Sequence, residues 1–318
     1  MNTEGLTPDE VNTAPTPQLL DLESAVKPED LMSLPVECSP YEFEQMFNLD
    51  GFFNKRLAKS KLKQLQVLDS VIRGMLQEGE RVLYLTDGIK QSSLEQLFIG
   101  WIMYYYNHNA FVFTSERILL IHITGKQKLG KFVSVINYAD LICVKSSFTG
   151  SLSLKFRNKK SVVFARIAGK DRKFLKEFLN PLIADNVDLI DKRAPSITNL
   201  CPACYEPVHL KSAPSCNHCQ LEYKTPKQAA LRSLLMPGLG DIYLGSKLGV
   251  LELLFMLFLW FSMIVGNLEL INEGEEPMAV WIGTFVFLGA IHVIDAIKTH
   301  YTATKGVFPQ ESITKIRG

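Results

Sequence analysis

Two apolar runs near the C-terminal end constrain this chain more than any other feature. Leu248–Gly266 reads LGVLELLFMLFLWFSMIVG and Ala279–Ile297 reads AVWIGTFVFLGAIHVIDAI. At ~1.5 Å per residue each makes a helix about 28 Å long, close to the ~30 Å of a bilayer's hydrocarbon core. An apolar fraction of 47% beside 21% charged residues is high for a soluble chain, and the excess lies after Leu248. Two such runs joined by the polar NLELINEGEEPM predict a transmembrane hairpin over 226–302; two buried helices of a soluble core are the alternative.

The flanks give the hairpin a direction. Lys224, Lys227, Arg232 and Lys247 precede the first run, and Lys298, Lys305, Lys315 and Arg317 follow the second. The connector has no Lys or Arg and carries Glu269, Glu273, Glu275 and Glu276. The positive-inside rule then puts both termini and the 303–318 tail in the cytoplasm and the loop 267–278 outside, as in a multi-pass inner-membrane protein. The opening MNTEGLTPDE has neither a basic start nor an apolar core, so no secretory signal is expected. Glu252, His292 and Asp295 each fall about one turn inside a span, at the cytoplasmic leaflet. Ionisable groups at that depth pair with one another, hold a proton or ligand, or meet a partner's helices.

The strongest chemical signal is CPACYEPVHLKSAPSCNHC, within a unit placed at 197–224. Its spacing is Cys201-x2-Cys204-x11-Cys216-x2-Cys219. Two intervening residues let a chain turn its amide hydrogens toward the sulfurs, and two facing knuckles give a closed tetrahedral four-thiolate shell. One structural Zn2+ is expected, in a zinc ribbon that folds around the metal. His209 and His218 are nearby alternatives for a mixed shell. Thiols kept for metal imply a reducing compartment; Cys38 and Cys143 are left over. Around the ribbon, Glu206, Lys211, Glu222 and Lys224 mix their charges, and the net charge is +1, so no nucleic acid is expected.

Ahead of the ribbon, residues 1–38 are Pro-rich with few large apolar side chains and read as a disordered tail. A helical segment follows over 39–76. It begins with a short helix capped by Ser39 with Pro40 at its first position. KRLAKSKLKQLQVLDSVIRGMLQ then spaces Leu57, Leu62, Leu65, Val67, Leu68, Val71, Ile72 and Met75 for a helix whose lysines face water or an anionic membrane. From 77 to 186 come strands: ERVLYLTDG, AFVFTSERILLIHIT broken at Ser115–Glu116–Arg117, KFVSVINYADLICVKSS, SLSLKFRN and SVVFARI. DRKFLKEFLNPLI closes the unit as a helix, with Phe174, Leu175, Phe178 and Leu182 on one face. Leu97–Asn107 (LFIGWIMYYYN) is too short to span a bilayer; it is a buried element or a face touching the membrane interface.

Two resemblances attach to these residues. ERVLYLT, FVFTSERILLI, the Tyr138–Ile142 turn, GSLSLKF and the closing helix resemble the bacterial pleckstrin-homology-like domain over about 100 residues. That implies a split, bent antiparallel barrel plugged by a helix, acting as an interaction module without catalytic residues. SLLMPGLGDIYLGSKLG resembles the start of the TM-two domain, through Pro237, Gly238, Gly240, Tyr243, Leu244 and Gly245, with His292 to Asp295 fitting the end of its second helix. The connector is longer than that family's usual loop. On physical grounds the glycines permit close backbone approach and Tyr243 anchors at headgroup level.

The expected fold class is a multidomain α+β membrane protein: a split barrel with its C-terminal helix, a small zinc ribbon and a two-helix hairpin. The expected function is a non-catalytic, membrane-anchored adaptor or regulator that meets a membrane or cytoplasmic protein partner. The alternative is a lipid-binding or lipid-handling protein using the barrel domain at the inner leaflet. No G-x-S-x-G, phosphate-binding glycine loop or HExxH occurs, so no enzyme is expected. Gly283 and Gly289 would permit a homo-oligomer.

Overall fold

The computed structural model describes residues 40–47, 54–91, 107–147, 150–185, 197–208, 214–274 and 276–310. The Pro-rich tail, the apolar stretch from Leu97 to Tyr106, His209, Lys315 and Arg317 lie outside these residues.

Helix α1 (Phe43–Phe47) starts later than Pro40. The Pro40 carbonyl instead accepts from Val82 N (3.0 Å) and Glu42 N donates back to the Val82 carbonyl (2.9 Å), so the expected first helical turn is an extended bridge onto the first strand. Helix α2 (Asn54–Met75) buries Leu65, Leu68, Val71, Ile72 and Met75, the stripe that 3.6-residue periodicity prescribes, while Val67 falls off it at 38% exposed. Lys59 and Lys63 are exposed, but Lys61 is buried, against the expectation that the lysines face water or an anionic membrane.

Eight strands follow: β1 (Val82–Gln91), β2 (His108–Thr114), β3 (Arg117–Ile123), β4 (Leu129–Asn137), β5 (Leu141–Ser146), β6 (Ser151–Phe156), β7 (Ser161–Ala165) and β8 (Thr198–Leu200). They form one open antiparallel sheet in the order β5-β6-β7-β1-β2-β3-β4-β8. Strands β2 and β3 are apolar on both faces because both faces are covered. Ala110, Val112, Leu119 and Ile121 pack with α1 and α2. Phe111, Phe113, Ile118 and Leu120 pack with β5–β7 and helix α3 (Gly169–Asp185). Each fully buried Leu, Ile or Phe contributes roughly 1.5–3 kcal/mol, so this doubly covered centre dominates the domain's stability. The fully covered face of α3 is Leu175, Leu179 and Ile183; Phe174, Phe178 and Leu182, expected at its centre, flank it half-buried.

Residues 226–303 form four helices: α4 (Pro226–Leu235), α5 (Leu239–Tyr243), α6 (Leu248–Asn272) and α7 (Pro277–Ala303). Thr225 caps α4 by accepting from Gln228 N, and Pro226 takes the first turn, where its missing N–H costs nothing. Helices α6 and α7 are long and apolar enough to cross a membrane. They outrun the apolar sequence: Asn267 and Thr284 hydrogen-bond each other between the helices (2.8 Å), and Asn267–Asn272 continues α6. The expected twelve-position loop is thereby reduced to a turn that includes Glu273, Gly274 and Glu276. The C-terminal segment is likewise no free tail as far as Gln310. Lys224 N donates to the Phe308 carbonyl (2.7 Å) and Gln310 N to the Glu222 carbonyl (3.0 Å).

Candidate functional site

The four cysteines sit on two backbone knuckles of the same build. Tyr205 N donates to the Cys201 carbonyl (2.9 Å) and Gln220 N to that of Cys216 (3.0 Å). Cys201 N and Cys216 N are bound by the Glu206 and Leu221 carbonyls. Both closing residues, Tyr205 and Gln220, take φ of 61°, which swings each chain back past its sulfurs. The sulfurs lie within 4.8 Å of one another, with Cys201–Cys219 at 3.5 Å and Cys204–Cys216 at 3.6 Å. Two thiolates tetrahedrally bound to zinc at ~2.3 Å lie about 3.8 Å apart, so the spacing fits one metal ion such as zinc and leaves no open position.

The surroundings fit as well. Burial disfavours the Cys216 thiolate, yet the backbone N–H groups of Cys219 and His218, with Tyr223 and Cys204, together bring the thiol down to about 6. Burial pushes the Cys204 and Cys219 thiols up, so a cation is needed to hold all four sulfurs ionised together. The buried Tyr223 hydroxyl faces the Cys201 and Cys216 sulfurs, and its pKa is raised by burial and by them. Metal-bound thiolates there would accept a hydrogen bond from it. His218 is exposed and outside the sulfur group.

This small unit is wedged between the sheet and the helices. Its strand β8 pairs with β4, Leu200 against Val133. Tyr205 lies on α2 at Gly74, where a Cβ would come within 2.7 Å of the ring and force it to shift. Val307 completes the core around Cys201, Cys216 and Tyr223. Beside it Phe132 of β4 packs on Phe308, with ring centres 5.7 Å apart, and Lys131 donates to the Leu244 and Gly245 carbonyls at 2.7 and 2.6 Å. Burial and Lys224 push Lys131 down to about 8.

At the start of the helical hairpin, Gly238 takes φ of 88° and lies over α6, where a Cβ would meet the Gly249 carbonyl at 2.5 Å. Gly240 packs on Ala229 and Ser233, and Gly245 takes φ of 78° beside Lys131. Pro237 is buried between α4 and α5. The Tyr243 hydroxyl donates to Gln228 Oε1 (2.7 Å). Glu252 and Asp295 come together, but through two residues the sequence did not single out for this role. Lys298 Nζ stands 2.6 Å from each of them and 3.1 Å from Asp241. Asp295 Oδ2 also accepts from Gly238 N (3.1 Å). His292 is elsewhere: its Nδ1 is 2.9 Å from the Leu234 carbonyl and its ring lies edge-on to Trp260. A lysine one turn beyond Asp295 was visible in sequence as a flanking charge; its inward direction was set by α5 and α6. Gly283 and Gly289 meet nothing within 4 Å.

No family model matches the chain. No curated protein matches it. Among solved structures it is similar to the C-terminal domain of an unknown protein from Leishmania infantum, at 11% identity over 36% of this chain and 96% of that one. The TM-score of 0.27 carries no argument about fold or function.

Proposed function

We propose that this protein is a non-catalytic membrane adaptor that holds a pleckstrin-homology-like interaction domain at a fixed attitude over the cytoplasmic leaflet. One observation carries the reading: the sheet domain is clamped to the hairpin at several independent points. Lys131 holds the Leu244 and Gly245 carbonyls, Phe132 packs on Phe308, and β8 extends the sheet from the four-cysteine unit. A flexible tether would need none of these contacts.

Several features support the components. The strand order, with β1 joining β7 to β2 and α3 over the second core, suits a bent split barrel. The knuckles suit a structural zinc ribbon. Phe258, Phe261 and Val286 are 67%, 67% and 68% exposed, and water would penalise such surfaces on long helices whereas lipid would not. The PGLGxxYLG turn suits a TM-two hairpin, and the basic flanks favour cytoplasmic ends with the acidic turn outside. The lipid-handling alternative is weakened at α2, whose apolar stripe is spent on the domain's own core.

Fluorescence tests the fixed attitude. A donor on Lys155→Cys, in the full chain with Cys38 and Cys143 changed to Ser, reports transfer to headgroup acceptors in a nanodisc. One narrow efficiency is expected, and it should broaden when Lys131→Ala and Phe132→Ala open the clamp. A broad distribution in the intact clamp would overturn the reading. Cross-linking in native membranes should also yield a discrete protein adduct; lipid transfer between vesicles without any adduct would favour the alternative.

A further inference from the structure

Helix α4 is a short lead-in to the hairpin, and its surroundings give it a second character. It lies along the cytoplasmic half of α7. Ser233 Oγ donates to Thr299 Oγ1 (2.9 Å), and the Leu234 carbonyl meets His292 Nδ1. From Ala303, the last residue of α7, back to His292 is about 16 Å along the helix at ~1.5 Å per residue. The C-terminal end of α4 therefore reaches well into the depth that the apolar run of α7 occupies. There it displays Leu231, Leu234 and Leu235 at 58%, 46% and 71% exposed, as α6 and α7 display apolar side chains of their own.

On the same helix and beside it three cations gather near one tyrosine. The Arg232 guanidinium lies 4.1 Å from the centre of the Tyr243 ring, and Lys224 Nζ lies 5.4 Å from the same ring. Lys131 reaches the carbonyls of Leu244 and Gly245, next to that tyrosine. None of the three cations has a carboxylate partner among the described residues. They act on one another: burial and Arg232 lower the pKa of Lys224, and burial and Lys224 lower that of Lys131. Three cations gathered against their mutual repulsion, above a leucine face, leave a place for one anion with an apolar body.

We propose that Lys224, Arg232 and Lys131, gathered around Tyr243, bind the phosphate headgroup of an anionic phospholipid whose acyl chains lie on Leu231, Leu234 and Leu235 of α4. The inference rests on the membrane reading of α6 and α7. The phosphate would accept from Arg232 and Lys224, with Lys131 adding charge from the sheet domain. Arg232 would reach from the apolar zone to the headgroup level along its own methylene stem. Such a lipid would join α4, the hairpin turn and β4 at one headgroup, and a basic cluster at an anionic leaflet supplies the attraction.

The test uses the full chain. Extraction of membranes with alkaline carbonate comes first: retention supports the membrane reading, and release overturns that reading itself. The detergent-solubilised chain is then exposed to equal phosphatidylglycerol and phosphatidylcholine, and retained lipid is counted by native mass spectrometry. Roughly tenfold preference for phosphatidylglycerol is expected, as for about 1.4 kcal/mol of charge-assisted binding. Lys224→Gln with Arg232→Gln should abolish the preference, and Lys224→Arg with Arg232→Lys should keep it. Leu231→Gln with Leu235→Gln should reduce retention of both lipids and spare the preference. Each variant's melting midpoint is read beside it, and the charge-keeping pair serves as the folded reference. Equal retention of the two lipids by the wild type, or an unchanged preference in the double Gln variant, would overturn the headgroup site. Displacement of phosphatidylglycerol by millimolar inorganic phosphate would assign the cluster to a soluble phosphate and overturn the lipid.

Discussion

Lys61 and Asp171, 110 positions apart, form an ion pair at 3.1 Å with side chains only 3% and 1% exposed. Lys61 comes from α2 and Asp171 from the first turn of α3, so the pair ties together helices that belong to different cores. The Tyr84 hydroxyl joins both groups at 2.8 Å, and Thr86 donates to the other Asp171 oxygen at 2.6 Å. Burial lowers the Lys61 pKa, and Asp171 offsets part of that by favouring the ammonium.

Removing either charge alone leaves the other buried without its counter-charge. Lys61→Met and Asp171→Leu should therefore each destabilise the full chain by about 3–5 kcal/mol. The double substitution should cost clearly less than the sum, because it removes the stranded charge as well. Denaturant unfolding of the four chains in one detergent closes the cycle; additive losses would mean that the two residues are not energetically coupled.

Metal content and the C-terminal strap should respond together. Val307 lies in the small core of the four-cysteine unit, and Lys224 and Glu222 hold Phe308 and Gln310 by their backbones. A metal held by the four cysteines would supply much of the folding free energy of a unit this small. The purified chain should carry one zinc, and Cys204→Ser with Cys219→Ser should lose it. Chelation should then expose residues 304–310 to limited proteolysis before the sheet domain is cut. Zinc retained by the double variant, or a strap that stays protected after chelation, would contradict the coupling.

Much of this was legible because it depends on local pattern. The stripe of α2, the two knuckles and the apolar spans of α6 and α7 all follow from residue type at fixed spacing. What the spacing could not carry was anything decided by a distant partner. Lys61 looked like one more solvated lysine until Asp171 and Tyr84 drew it inward. His292 and Asp295 are close in sequence and share a helix, yet α4 takes the first and Lys298 the second. Asn267 looked like a loop residue because its partner, Thr284, lies across the turn. The strap at 305–310 offers no periodicity at all, since its contacts are made by backbone groups and by single side chains such as Lys305, Val307 and Phe308.

Glycines along the hairpin should differ sharply in tolerance. Gly238 has a left-handed φ and no room for a Cβ against the Gly249 carbonyl or Leu253 N, at 2.5 and 2.7 Å. Gly238→Ala should cost at least the ~1–2 kcal/mol of the left-handed conformation, with the steric clash added. Gly283→Ala and Gly289→Ala meet open space and should stay within about 0.5 kcal/mol in the monomer. Melting midpoints in detergent separate the two classes; a Gly238→Ala chain as stable as the wild type would refute the close packing of the turn.

Lys131 gives the junction a defined pH response. Burial and Lys224 bring its pKa down to about 8 in the folded protein, against 10.5 in the unfolded chain. Unfolding free energy rises with pH wherever the unfolded state binds more protons. Below pH 8 both states hold the proton, and the folded state bears the full penalty of a buried ammonium. Between about 8 and 10.5 the folded protein has released it while the unfolded chain has not, so this residue's contribution to stability climbs across that window. Tyrosines whose pKa is raised by burial, such as Tyr41 and Tyr84, work in the opposite sense near the top of the range. The comparison must therefore be a difference between chains. The melting midpoint of the wild type minus that of Lys131→Met, measured in neutral detergent, should increase from pH 8 to pH 10. Lys224→Gln should move the onset upward by removing the like charge. A flat difference across that window would show that Lys131 is as solvated in the folded protein as in the unfolded chain.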